Sequence, residues 1–217
     1  KIVKMSFVDE ARIYVKAGDG GKGCESFYRD KFMRYPRPDG GDGGKGGDVV
    51  FVAAKGLKTL LDYRFKQHYK AERGGHASSK GKKGKAGEDC ILKVPVGTIL
   101  RDYETGLLIK DLSQDGQSVI VAKGGSGGIG NKNRKVISPP KPGQEMTIAL
   151  ELKLVADVGI IGCPNAGKST LISNIAHVKS KIASYPFTTR QPILGVVERE
   201  ERSFIVSDLP GLIEGAH

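Results

Sequence analysis

The chain has 217 residues, enough for one large domain or two small ones, and its 35 Lys+Arg against 24 Asp+Glu give a formal net charge of +11. No run approaches the roughly 18 apolar residues that a membrane helix needs, and the start KIVKMSFVDEA has neither a signal-peptide pattern nor an Arg/Ser-rich transit pattern. Three well-separated cysteines, Cys24, Cys90 and Cys163, form neither a disulfide framework nor a Cys-x-x-Cys metal motif, and suit a reducing compartment.

In chain order, β-branched and aromatic runs predict strands at ARIYVKA (residues 11–17), DVVFVAA (48–54), CILKVPVGTIL (90–100) and QSVIVAK (117–123). Turn signals separate the later ones, ETG at 104–106 and QDGQ at 114–117. Glycine-rich stretches lie between the strands, and GDGGKG occurs twice, at 18–23 and 41–46. The second copy belongs to PDGGDGGKGGDVVFV, which is not a phosphate-binding loop because Gly44-Lys45 is followed by Gly46 rather than Ser or Thr. Nor is it a calcium nonapeptide, whose sixth place must be Asp and here is Lys45.

Its glycines instead recur every third residue, Gly40, Gly43 and Gly46 on one track and Gly41, Gly44 and Gly47 on another. The same period appears at Gly81, Gly84 and Gly87 and at Gly124, Gly127 and Gly130. A polyproline-II helix has three residues per turn, so this spacing lines one edge with glycine and lets extended segments pack backbone to backbone. The expectation is a bundle of short polyproline-II segments carried on a short-stranded β scaffold.

Charge concentrates in the same part of the chain. Residues 1–157 hold 29 of the 35 basic residues against 19 acids. Residues 55–87 contain ten Lys/Arg and two acids, with Tyr63, Phe65, His68 and Tyr69 interleaved, and residues 123–141 have five basic residues and no acid. Acid-poor segments of this kind suit contact with a phosphate backbone. The candidates are Lys66, Lys70, Arg73, Lys80, Lys82, Lys83, Lys85, Lys132, Arg134 and Lys135.

From Leu152 the texture changes to an apolar strand, a loop and a helix with Leu171, Ile172, Ile175 and Val178 on one face. The loop, Gly162, Cys163, Pro164, Asn165, Ala166, Gly167, Lys168 and Ser169, is a complete G-x-x-x-x-G-K-S, followed by Thr170. Backbone amides at such a helix start cradle phosphates, Lys168 would reach the β/γ oxygens and Ser169 would ligate Mg²⁺. Downstream, YPFTTRQP offers Thr188 or Thr189 to the same ion. PILGVVE and SFIVSD read as two strands joined by a charged turn, and Asp208 with Leu209, Pro210 and Gly211 closes the second. An aspartate there can hold an Mg²⁺-bound water, and the Gly211 N–H can sense a γ-phosphate.

The motifs GGDGGKGGDV, GCPNAGKST, YPFTT and DLPGLIEGA make the chain resemble the Obg family of ribosome-associated GTPases over essentially its whole length. That resemblance implies a glycine-rich Obg fold, a polyproline-II bundle on a β barrel, over residues 1–157. It also implies the start of an α/β GTPase domain over residues 158–217. It implies GTP and GDP as ligands, held by residues 162–170, by Phe187, Thr188, Thr189, Arg190 and Gln191, and by Asp208 to Gly211. Ser169 and Thr189 become the Mg²⁺ ligands, with Asp208 acting through water. It further implies a monomer in the cytoplasm, or in an organelle matrix or stroma, that binds the large ribosomal subunit and its rRNA during late assembly. Leu212 stands where related switches place a water-orienting glutamine, so slow intrinsic hydrolysis is expected. Asn165 resembles the K⁺-binding asparagine of potassium-stimulated GTPases and, with Lys168, is the candidate catalytic pair.

The guanine-reading Asn-Lys-x-Asp loop lies in none of these residues, so guanine specificity rests on the resemblance. The chain is expected to be a truncated product or part of a longer protein. Its strand–helix–strand–strand segment would then carry apolar faces and an open edge. Two other readings stay open: an RNA- or ribosome-binding module whose truncated nucleotide domain is inactive, and a P-loop enzyme acting on a small molecule.

Overall fold

The computed structural model describes residues 8–132, 137–153, 158–161, 167–175, 181–182, 193–199 and 202–208. The chain divides into two compact units, Val8–Leu152 and one formed by Lys1–Phe7 with Lys153–His217.

In the first unit the strands are β1 (Glu10–Lys16), β2 (Phe27–Tyr28), β3 (Arg37–Pro38), β4 (Val49–Ala54), β5 (His68–Lys70), β6 (Cys90–Pro95), β7 (Thr98–Asp102), β8 (Leu108–Leu112), β9 (Ser118–Ala122) and β10 (Glu145–Leu152). One short helix, α1 (Leu61–Phe65), precedes β5. A five-stranded sheet runs β5-β1-β10-β7-β8, a three-stranded sheet runs β6-β4-β9, and β2 pairs with β3 as a separate ribbon. No ladder joins the two larger sheets among the described residues, so the expected barrel is not found closed: β5 and β8 edge one sheet, β6 and β9 the other.

Alternation decides which face is buried. Along β4, Val49, Phe51 and Ala53 are buried while Val50, Val52 and Ala54 are half-buried. Ile13 faces Ile148 across β1 and β10, and Leu150 faces Leu100 across β10 and β7, all four fully buried. These residues, with Val15, Leu92, Val94, Leu112 and Leu60, make one apolar core. Each such side chain contributes about 1.5–3 kcal/mol on burial. The predicted strand over residues 90–100 is in fact two strands, because Gly97 turns the chain at φ +89° between β6 and β7. Gly106 (φ +69°) and Gly116 (φ +74°) make the two predicted turns that flank β8.

The glycine-rich stretches lie outside the sheets and are tied to one another by backbone hydrogen bonds spaced three residues apart. Gly18, Gly21 and Cys24 donate to the carbonyls of Gly47, Gly44 and Gly41 at 2.9, 2.9 and 3.0 Å, an antiparallel run. Gly125, Gly128 and Asn131 donate in turn to Gly18, Gly21 and Cys24, a parallel run, and Gly43 and Gly46 donate to Gly128 and Gly125. The three segments therefore close on one another as a triangle.

The two glycine tracks of residues 40–47 face different neighbours. A Cβ on Gly40, Gly43 or Gly46 would strike the carbonyl oxygen of Cys24, Gly21 or Gly18. On Gly41, Gly44 or Gly47 it would strike that of Lys82, Lys85 or Glu88. Only hydrogen fits on either side, which is the close approach that glycine permits.

In the second unit, β11 (Val158–Ile160), α2 (Lys168–Ile175), β12 (Lys181–Ile182), β13 (Ile193–Arg199) and β14 (Arg202–Asp208) form a sheet of order β11-β14-β13-β12 with one helix. The two strands predicted around a charged turn are β13 and β14, paired antiparallel with Arg199 opposite Arg202. Leu171 and Ile175 of α2 keep 48% and 43% of their surface exposed.

Candidate functional site

The described residues that flank the G-x-x-x-x-G-K-S motif are the end of β11 and the start of α2. Strand β11 runs parallel to β14, with Ile160 opposite Asp208. The loop that follows β11 therefore leaves from the same sheet end at which β14 delivers Asp208. At the far end of that loop Gly167 takes φ +81°, a left-handed conformation favouring glycine, and α2 begins at Lys168. The Leu171 amide closes the first turn on the Gly167 carbonyl at 2.9 Å, leaving the earlier amides directed out of the helix start. No acidic residue occupies that first turn. A helix start of this kind, with a lysine in it, attracts anions.

Of the predicted nucleotide residues, Gly167, Lys168 and Thr170 are described, Lys168 half-buried and Thr170 exposed. The backbone of Ser169 and of Asp208 is placed, in α2 and β14 respectively. Gly162, Cys163, Pro164, Asn165, Ala166, Phe187, Thr188, Thr189, Arg190, Gln191, Leu209, Pro210 and Gly211 lie outside the described residues.

The first unit carries the basic candidates. Lys66, Lys70, Arg73, Lys80, Lys82, Lys83, Lys85 and Lys132 are all exposed, whereas Arg134 and Lys135 lie outside the described residues. The two basic segments meet: the Lys132 side chain lies over Gly81, where a Cβ would strike its Nζ, Cδ and Cε atoms. Lys132 is anchored beside the glycine track through its amide, which donates to the Gly40 carbonyl at 3.0 Å.

Sequence reasoning missed a neighbouring element. The β2–β3 ribbon carries FYRDKFMRYPRP over residues 27–38, and Phe27, Tyr28, Phe32 and Tyr35 are 58%, 46%, 96% and 72% exposed. Arg34 lies over the Tyr35 ring, 5.6 Å from its centroid. Four basic residues alternate with these four aromatics against a single acid, Asp30. The signal available was compositional, aromatics interleaved with arginine and lysine, which is the pattern of a stacking surface for single-stranded bases.

A glycine-built β unit followed by the opening strand, loop and helix of a nucleotide-binding sheet defines the class: an Obg-type N-terminal domain joined to the start of a GTPase domain. The model of the family described as GTP1/OBG matches residues 8–154, and that described as 50S ribosome-binding GTPase matches residues 157–217. The chain is 57% identical to GTPase Obg of Sulfurihydrogenibium sp. (strain YO3AOP1), an alignment covering 97% of this chain and 63% of that protein. It is 55% identical to GTPase Obg of Persephonella marina, over 98% of this chain and 65% of that one. To GTPase Obg of Thermodesulfovibrio yellowstonii it is also 55% identical, over 98% and 66%. The chain belongs to the GTP1/OBG family. It spans between 63% and 66% of the length of these three relatives. No helix among the described residues is long and apolar enough to cross a membrane.

Proposed function

We propose that the protein is a GTP-binding and GTP-hydrolysing switch that binds the large ribosomal subunit through its first unit and acts in the late assembly of that subunit. The observation that supports this reading is the parallel register of Ile160 and Asp208, which brings the strand entering the G-x-x-x-x-G-K-S motif and the D-x-x-G aspartate to one sheet end. The second family description, a 50S ribosome-binding GTPase, supports the partner.

In this reading the domains run 1–157 and 158–217, and the triangle of glycine segments is a polyproline-II bundle holding the basic loops. Residues 162–170 wrap the phosphates, with Lys168 balancing their charge. Phe187 to Gln191 and Asp208 to Gly211 close over the γ-phosphate, so that hydrolysis releases both loops and weakens ribosome binding. Ser169 and Thr189 offer hydroxyl oxygens and Asp208 a carboxylate, a hard-oxygen set suited to Mg²⁺. When bound, Mg²⁺ supplies charge neutralisation at the β- and γ-phosphate oxygens. Asn165 is the candidate K⁺ contact, and equal turnover in Na⁺ and K⁺ buffers would remove that role. In this reading the protein acts as a monomer in the cytoplasm, or in an organelle matrix or stroma.

Fluorescent GTP-analogue titration tests the nucleotide half of the reading. Binding that requires Mg²⁺ and is lost in Lys168→Ala supports it. Phosphorylation of a small-molecule acceptor in place of simple hydrolysis would favour a P-loop kinase instead.

A further inference from the structure

Asp39 is an acidic residue where the two basic segments meet, beside Lys80 and Lys132, and by charge alone it opposes a polyanion there. Both of its carboxylate oxygens are engaged: Oδ1 accepts from the Ser26 hydroxyl at 2.5 Å and Oδ2 from the Lys80 amide at 2.9 Å. Its carbonyl accepts from the Gly81 amide at 2.6 Å, and its own amide donates to the Ser26 carbonyl at 2.9 Å. The next residue continues the knot. The Gly40 carbonyl accepts from the Lys132 amide at 3.0 Å, and the Gly40 amide donates to Asn131 Oδ1 at 2.9 Å.

Three stretches distant in sequence are thereby tied at one point: the base of the β2–β3 ribbon, the turn at 80–81 and residues 131–132. Lys80 is the one non-glycine residue with positive φ among the described residues, at +60°, a conformation that L side chains adopt rarely unless surroundings impose it. The Asp39 carboxylate on its amide is part of what imposes it. The Ser26 hydroxyl and the Lys80 amide hold the Asp39 carboxyl below the usual carboxylate range, with the Lys132 and Lys80 charges adding to the effect.

We propose that Asp39 is a positioning residue for RNA, fixing the Lys80–Gly81 turn against Lys132 so that the two lysines together take phosphates of the RNA backbone. The proposal rests on the reading of the first unit as the ribosome-binding part. Charge and geometry predict opposite signs here. If Asp39 were only a surface carboxylate, its removal would tighten binding to a polyanion. If it positions the lysines, its removal weakens binding although the protein becomes more positive.

The test measures affinity for purified bacterial large ribosomal subunits across a KCl series at fixed Mg²⁺, with a non-hydrolysable GTP analogue present throughout. It compares wild type with Asp39→Ala, Lys80→Ala, Lys132→Ala and the Asp39→Ala/Lys80→Ala double variant. Asp39→Ala is expected to bind about tenfold more weakly and to lower the slope of log affinity against log salt by about 1–2, the loss of one or two phosphate contacts. Lys80→Ala should weaken wild type but change the Asp39→Ala background little, because the Lys80 amide has lost the carboxylate that holds its turn. Should Asp39→Ala fail to fold by circular dichroism, Ser26→Ala removes one arm of the knot without changing charge and should weaken binding about two- to threefold. Weakened binding in both lysine variants, with unchanged or tighter binding in Asp39→Ala (or unchanged binding in Ser26→Ala), overturns the proposal and leaves the RNA reading standing. Wild-type binding that is absent, or indifferent to salt and to both lysines, overturns both.

Discussion

Ile160 and Asp208 stand opposite each other in a parallel ladder, at the ends of strands separated by a loop, a helix and a hairpin. That single register places the strand that leads into the G-x-x-x-x-G-K-S motif next to the one that ends in the aspartate of D-x-x-G. Lys168 is the first residue of α2, and in the proposed reading it balances the charge of the nucleotide's phosphates. Lys168→Ala should weaken GTP binding by about 10–150-fold, the loss of a charge-assisted hydrogen bond of about 1.5–3 kcal/mol. Fluorescent-nucleotide titration reads the change.

Gly43→Ala is expected to be severe. The added methyl would meet the carbonyl oxygen of Gly21, which is backbone and cannot swing aside. Overpacking of this kind costs about 1–3 kcal/mol and sometimes more. Gly116 is the control: its φ is +74°, but a Cβ there meets nothing within 4 Å. Gly116→Ala should cost only the left-handed strain, about 1–2 kcal/mol. Urea denaturation of the two variants should rank them in that order and show in Gly43→Ala the larger loss of ribosome binding.

Tyr63 is 7% exposed, and its hydroxyl donates to the Lys93 carbonyl at 2.6 Å. Burial, with the neighbouring Tyr69 and Asp62, raises its pKa well above the ordinary value of 10.0. A raised folded value means that the neutral phenol is the form that folds. Its contribution is fully present below about pH 10 and is lost as pH rises from there towards the folded value. Tyr63→Phe should cost about 1 kcal/mol at pH 7 and lose less stability than wild type between pH 10 and 11.5. Urea midpoints across that range measure it.

The aromatic ribbon makes a separate prediction. Phe32 and Tyr35 are 96% and 72% exposed, so their removal takes nothing from the core. Replacing both with Ala should leave the melting temperature unchanged and weaken binding to ribosomal RNA by about 1–3 kcal/mol for each base that stacks on them. Unlike the lysine variants, this one should leave the salt slope as it was. Electrophoretic mobility shifts at two salt concentrations separate the two effects.

Much of the scaffold was legible because its determinants are local and periodic. The three-residue period of Gly40, Gly43 and Gly46 survives in the structure as one packing edge, and that of Gly41, Gly44 and Gly47 as another. Strand β10 was harder, since EMTIALEL is rich in residues that favour helices and becomes a strand by pairing with β1 and β7. The split of the 90–100 strand at Gly97 depends on a backbone angle that no apolar pattern reports. The ribbon escaped notice because exposed aromatics have no burial period to reveal them. Asp39 escaped it because its partners Ser26 and Lys80 lie 13 and 41 residues away.

If nucleotide state controls attachment to the ribosome, co-sedimentation with large ribosomal subunits will show it. Wild type should pellet with the subunits in the presence of a non-hydrolysable GTP analogue and remain largely in solution with GDP, while Lys168→Ala should stay in solution with either. Binding that is the same with both nucleotides and unaltered by Lys168→Ala would contradict the switch.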